Sequence, residues 1–196
     1  EDTLSLHDAL PILVFMDIDD TLLFTTAKIN VIKNGRSIKQ LTNSEYNDYE
    51  LQLGESYDFT QFEDSELFAS TSVPNYPMIN MLKDMYRNGT EVLLLTARGN
   101  FDCKETIAHY FNELGIPVGH YLDHKIHIAR CGRDKYKAYG RSHTRKKHVV
   151  QKILAKRPDV TFMEMYDDNM ENLKEFKSID FPSSAFLVDH SIVMKI

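Results

Sequence analysis

The sequence predicts an α/β fold of three layers, with a central parallel sheet of about five strands between helices and a small β-hairpin flap after strand 1. Three observations carry this. Apolar runs of strand length, Ile12–Met16 and Glu91–Leu95, read as strands buried on both faces, as in a parallel sheet. Strand-like segments alternate with segments of helical period, which puts helices on both faces of one sheet. Three of the strands end in polar residues, Asp17, Thr96 and Asp167, at the edge where such sheets form their ligand crevice. The arrangement is Rossmann-like.

Each element has its own signal. After the first strand, Ala27–Leu41 reads as a hairpin turned at Asn34-Gly35. Ser44–Leu53 and Phe62–Phe68 are short, acidic and partly helical. Pro77–Arg87 carries Met78, Ile79, Met81, Leu82 and Met85 at helical spacing and is closed by Asn88-Gly89. Such a methionine stripe is core packing. Phe101–Leu114 is a helix closed by Gly115, and Lys125–Ala129 is a third strand. Thr144 is the expected cap of a helix that Arg157-Pro158 stops. Val160–Tyr166 is a fourth strand, Asn169 caps a helix over Met170–Phe176, and Ala185–Val188 is a fifth strand.

At 196 residues and 42% apolar, the chain has enough core for one domain, expected over 13–196 with a small flap or cap insertion at about 24–72. Cys103 and Cys131 are too few for a disulfide framework and imply ordinary thiols in a reducing, cytoplasmic compartment. No stretch approaches the roughly 18–20 apolar residues of a membrane helix, so no membrane partner is expected. Glu1, Asp2 and Asp8 argue against a secretory signal. Residues 1–12 resemble translated sequencing-adaptor sequence and are expected to be non-native or disordered.

Charge is strongly segregated. Residues 125–157 hold 12 of the 23 lysines and arginines and one acid, Asp134, a local net of +11; with an overall net of −6, the remainder carries −17. Residues 45–66 carry eight acids and no base. The basic run is either a solvated face or a surface turned toward a polyanion. Within it, Tyr136 and Tyr139 interleave with Arg133, Lys135, Lys137 and Arg141, a pattern read first as a mobile basic loop and otherwise compatible with stacking on bases. His120, His124 and His127 lack Cys or Glu companions and are read as hydrogen-bonded or solvent-facing, without zinc.

The chemistry begins at Asp17-Ile18-Asp19-Asp20-Thr21. In an extended strand alternate side chains share a face, so Asp17 and Asp19 project together. Two desolvated carboxylates need a cation or a shared proton, and either arrangement suits phosphoryl chemistry. Asp20 is read as structural. The pair is followed by the strand-end Thr96, by a lysine at a helix start, and by Asp167-Asp168 after a strand. Arg145-Lys146-Lys147 offers adjacent lysines. From Lys146, Val149, Val150 and Ile153 fall three, four and seven residues on, which favours Lys146, with Lys147 as the alternative.

In this order the residues resemble the four motifs of the haloacid dehalogenase superfamily of phosphatases and phosphotransferases, over about Leu13–Leu173. The resemblance implies an Mg²⁺-dependent phosphomonoester hydrolase working through an aspartyl-phosphate. Asp17 would be the nucleophile and Asp19 the general acid and base, its main-chain carbonyl also on the metal. Thr96 would donate to a phosphate oxygen, helped by the amide of Ala97. Asp167 and Asp168 would complete the metal site with Asp17, and Lys146 would hold nucleophile and phosphoryl group together. Thr21 would brace the substrate-binding loop, and Arg98 and Lys147 stand where they can meet substrate. Cap insertions set specificity in this superfamily. The insertions here look small, and a nearly open site with a basic approach points to a phosphorylated nucleic-acid end or a nucleotide. A receiver domain would place its acidic pair before the phosphoacceptor strand, unlike this order. A catalytically idle binding module on the same fold and a metal-dependent nuclease are the competing readings.

Overall fold

Strand β1 (Ile12–Met16) is apolar throughout because both of its faces are covered. Val14 and Met16 enter one core, Leu13 and Phe15 the other. A computed structural model describes residues 11–119 and 126–196 of the chain. Ile12, counted on sequence in the N-terminal segment, already pairs with Phe162.

Beyond β1 the chain turns through Asp20, in the left-handed region at φ 60°, and enters the insertion. Its elements are β2 (Leu23–Phe24), β3 (Ile29–Lys33), β4 (Arg36–Leu41), α1 (Asn43–Asp48), β5 (Glu55–Asp58), α2 (Thr60–Glu63), α3 (Ser65–Thr71) and β6 (Val73–Pro74). β3 and β4 form the predicted hairpin, turned by Asn34 at φ 51° and Gly35 at φ 72°. β5 pairs with the other edge of β3, so a three-stranded antiparallel sheet stands where the sequence predicted a hairpin alone. Ala27, Ile29, Val31, Leu41 and Phe62 give this sheet a core of its own. The two residues of β2 pair with β6 and close the insertion at its base.

The remaining elements are α4 (Tyr76–Arg87), β7 (Glu91–Thr96), α5 (Lys104–Glu113), β8 (His127–Arg130), α6 (Ser142–Leu154), β9 (Phe162–Asp167), α7 (Met170–Lys177), β10 (Ser183–Asp189) and β11 (Ile192–Lys195). The main sheet has the order β11-β10-β9-β1-β7-β8, parallel except for β11, an antiparallel edge strand that the sequence reading did not include. Met78, Ile79 and Leu82 of α4 and Ile107 and Phe111 of α5 cover one face; Val149 and Val150 of α6 and Leu173 and Phe176 of α7 cover the other. This is the expected Rossmann-like α/β/α sandwich.

Several boundaries differ from expectation, and two of them lie in the basic segment. Helix α6 starts at Ser142, with Arg141 at the N-cap and no side-chain cap, so Thr144 lies inside it. The third strand, expected over Lys125–Ala129, is His127–Arg130; His120, His124 and Lys125 lie outside the described residues. From β1 the chain runs outward to β7 and β8 and then crosses to β9 and β10. The reversal of direction falls beside β1, and that puts the crevice at its carboxyl end.

Candidate active site

The amide of Asp17 donates to the Tyr166 carbonyl at 2.9 Å, extending the β1–β9 pairing by one residue and setting Asp17 beside the end of β9. There β9 ends in Asp167, and Asp168 follows. Lys146, one turn into α6, is buried and reaches back across the sheet end. Its Nζ donates to Asp17 Oδ1 and to Asp167 Oδ2, each at 2.7 Å. The other oxygen of Asp167 accepts from the Asn169 amide at 2.9 Å and from Asn172 Nδ2 at 2.8 Å. Thr21 links the loop after β1 to this cluster: its hydroxyl accepts from the Asp168 amide at 3.0 Å and donates to Asp168 Oδ1 at 3.3 Å. Lys147, the alternative, points elsewhere, donating to Glu175 and to the Ser178 hydroxyl.

Asp19 lines the same cavity but has a different partner. Arg98 Nε lies 3.0 Å from both Asp19 oxygens and Nη2 lies 2.7 Å from Oδ1, a forked pair that fixes the plane of the carboxylate. The same guanidinium donates to the Phe62 carbonyl at 2.9 Å and the Thr25 hydroxyl at 3.0 Å, and packs against the rings of Phe62 and Phe68. Arg98 was expected to meet substrate. It borders the cavity, but it is only 2% exposed and its hydrogen bonds are spent on Asp19 and the insertion. Thr96 is fully buried; its hydroxyl accepts from the Arg98 amide at 3.0 Å and lies 3.4 Å from Asp19 Oδ2. Asp20 stands aside, accepting from Asn43 at 2.8 Å.

The three-acid cluster is short of positive charge. One carboxylate oxygen each from Asp17, Asp167 and Asp168 can be chosen so that all three lie within 4.8 Å of one another, and Lys146 is the one cation bonded to Asp17 and Asp167 among the described residues. Burial pushes the Asp17 carboxyl well above its ordinary range; Lys146 opposes this, and Asp167, Asp168 and Asp19 add to it. Burial, then Asp167, push Asp168 up to about 7. For Lys146, burial disfavours the ammonium, but Asp167 and Asp17 more than offset it and raise its pKa. Lys146 is thus a firm ammonium, yet, shared between two acids, it does not bring Asp17 back down. An all-oxygen set with this deficit fits a hard divalent cation such as Mg²⁺.

The cavity above these acids measures about 450 Å³. Ala97, Gly99 and Gly132 form one side, and Lys137, Ser142 and Arg145 another. The insertion supplies the roof through Ile32, Tyr46, Tyr57 and Phe59. The sequence reading missed this roof, because nothing local says that the insertion folds over the acids. It also missed Asn172, visible as the i+3 partner of Asn169, and Gly132, whose lack of a side chain lets it sit against the Ala97-Arg98 backbone. Tyr136 and Tyr139 do not reach the site. Tyr136 is buried in the core, and Tyr139 stacks on His148 at 3.7 Å.

No protein-family model matches the chain, and no curated protein matches it. Among solved structures, a hypothetical protein from Xanthomonas campestris is similar over 87% of this chain and 62% of its own, at 16% identity and a TM-score of 0.35. An archaeal beta-phosphoglucomutase from a hyperthermophilic Pyrococcus is similar over 88% of this chain and 85% of its own, at 12% identity and a TM-score of 0.42. The chain thus spans less than two thirds of the Xanthomonas protein.

Proposed function

We propose that this chain is an Mg²⁺-dependent phosphomonoester hydrolase that works through an aspartyl-phosphate on Asp17. The observation that carries the reading is the bridge of Lys146 between Asp17 and Asp167, with Asp168 alongside, on the floor of a cavity that Asp19 also lines. The order of these residues along the chain, which resembles the haloacid dehalogenase motifs, supports the same reading.

The steps follow from the side chains. An oxygen of Asp17 attacks phosphorus, and the phosphorus–ester oxygen bond breaks. Asp19, whose carboxylate must first take up a proton from solvent or from the monoanionic ester, gives that proton to the departing oxygen. Water then attacks the acyl phosphate, returning a proton to Asp19 and releasing inorganic phosphate and free Asp17. Lys146 holds the nucleophile in place and offsets its charge as a dianion approaches. Arg98 fixes where the Asp19 carboxylate sits, and Thr21 holds the Asp168 loop against the loop after β1. Mg²⁺, held by Asp17, Asp167 and Asp168, would neutralise charge on the transferring phosphoryl group. Thr96 and the Ala97 amide, at the end of β7, are the donors the reading assigns to the phosphoryl oxygens.

Replacement of Asp17 by Asn removes the nucleophile and little else. Asp17→Asn is expected to abolish Mg²⁺-dependent phosphate release from an aryl phosphate and to leave the circular dichroism spectrum as it was. Undiminished turnover in that variant would rule out the covalent route.

A further inference from the structure

From the roof of the cavity we infer that the substrate is a small phosphomonoester with a flat aromatic ring in its leaving group, of the nucleoside monophosphate class, and not the end of a polynucleotide. The inference rests on the hydrolase reading above and adds the identity of the group that leaves.

The roof is aromatic, and its rings lie between the core of the insertion and the cavity. Tyr46 on α1, Tyr57 on β5 and Phe59 just beyond β5 pack edge to face, with ring centroids 4.8 Å apart for Tyr46–Tyr57, 5.5 Å for Tyr46–Phe59 and 5.9 Å for Tyr57–Phe59. Tyr57 is braced from behind, its hydroxyl donating to the Tyr49 carbonyl at 2.8 Å. Tyr46 and Tyr57 are half-buried and also pack against the core of the inserted sheet, while Phe59 is 40% exposed and leaves ring surface open. Three mutually supported rings that border an acidic cavity offer a ready surface for a planar ring, because stacking needs an exposed aromatic face and no particular hydrogen-bond pattern.

The wall supplies the opposite chemistry. Lys137 and Arg145 line the same cavity, and Arg145 Nε is buried with no hydrogen-bond partner among the described residues. Aromatic, cationic and acidic side chains together line a cavity of about 450 Å³, within the roughly 300–1,000 Å³ of small-molecule sites. The polymer alternative depended on an open site and on Tyr136 and Tyr139 as stacking platforms. Side chains of the insertion line one side of the site, and neither tyrosine is among its lining residues.

The test compares Mg²⁺-dependent phosphate release from the 5′- and 3′-monophosphates of adenosine and thymidine, from ribose 5-phosphate, and from oligonucleotides phosphorylated at either end. The best nucleotide should exceed ribose 5-phosphate in kcat/KM by roughly tenfold or more, the size of one stacking contact. Phe59→Ala and the bulkier Tyr46→Leu should each shrink that ratio severalfold, with thermal melting confirming that both fold. Tyr139→Ala, outside the cavity, should leave the ratio unchanged. Equal turnover of nucleotide and ribose 5-phosphate, or a ratio that neither roof variant moves, overturns the ring assignment and leaves the hydrolase standing. Preference for a phosphorylated oligonucleotide over its mononucleotide overturns the small-ligand assignment. Absence of turnover on every ester sinks the hydrolase reading instead; calorimetric binding of the same nucleotides and of ribose 5-phosphate then decides, tighter nucleotide binding upholding the ring site and equal binding refuting it.

Discussion

Asp17 and Asp19 are two residues apart and yet belong to different charge networks. Strand alternation correctly places both at one cavity, but it says nothing about their partners, which come from far along the chain. Asp17 is held by Lys146, 129 residues on, and Asp19 by Arg98, 79 residues on. The Arg98–Asp19 pair is forked, nearly dry and tied to the insertion through the Phe62 carbonyl, so removing one partner strands a buried charge. Arg98→Met is therefore expected to destabilise the fold by about 3–5 kcal/mol, read from the denaturant midpoint at constant slope. A cost below about 1 kcal/mol would mean that Asp19 finds another partner or water once the guanidinium is gone. The neighbouring Thr96 is similar: its position at a strand end is readable from sequence, but its bond to the Arg98 amide depends on how the following loop closes.

At the scale of elements, the loops after β7 and β8 meet backbone to backbone. The Cys131 amide donates to the Thr96 carbonyl at 2.9 Å and the Gly132 amide to the Arg98 carbonyl at 3.1 Å. A Cβ on Gly132 would lie 2.1 Å from the Ala97 carbonyl oxygen, and no side-chain motion relieves a clash with backbone. Gly132→Ala is expected to cost about 1–3 kcal/mol in stability and a disproportionate share of activity, since the displaced loop carries Ala97 and Arg98. An unchanged midpoint together with unchanged phosphate release would refute this packing. Nothing in the sequence around Gly132 marks it, because the reason for the glycine lies in a loop more than 30 residues away. By contrast β1, β7, β9 and β10 are legible, since a strand buried on both faces must be apolar at successive positions. β5 is not: Glu55-Ser-Tyr-Asp58 has one hydrophobic ring and earns its place by pairing with β3. β11 is an exposed edge whose Ile192 and Met194 face outward, so the alternation that marks a half-buried strand is weak. The start of α6 was misplaced because Thr144 is a good cap by residue type, whereas Arg141 takes the position with no cap hydrogen bond.

For the whole molecule, the segregation of charge visible in the sequence has a structural counterpart: the basic segment supplies Lys137, Arg145 and Lys146 to a cavity whose floor is carboxylate. That floor ties stability to pH and to metal. In the metal-free native state Asp168 keeps its proton up to about 7, held there by burial and by Asp167, whereas in the unfolded chain it loses the proton near its ordinary value of 3.8. Between those values the native state binds more protons than the unfolded one, so stability falls as pH rises and stops falling once pH passes the native value. Asp17, raised by burial in the same site, acts in the same direction. A divalent cation held there would bind the deprotonated carboxylates and compete with those protons, so it would stabilise most where the metal-free protein has lost most. Thermal melting without metal should therefore show Tm declining from about pH 5.5 to about pH 8, and saturating Mg²⁺ should raise Tm more at about pH 8 than at about pH 5.5. Asp168→Asn, which has no proton to lose, should flatten the metal-free decline and shrink the Mg²⁺ increment. An increment that is the same at both pH values, or that survives in the variant, would place the metal away from Asp17, Asp167 and Asp168.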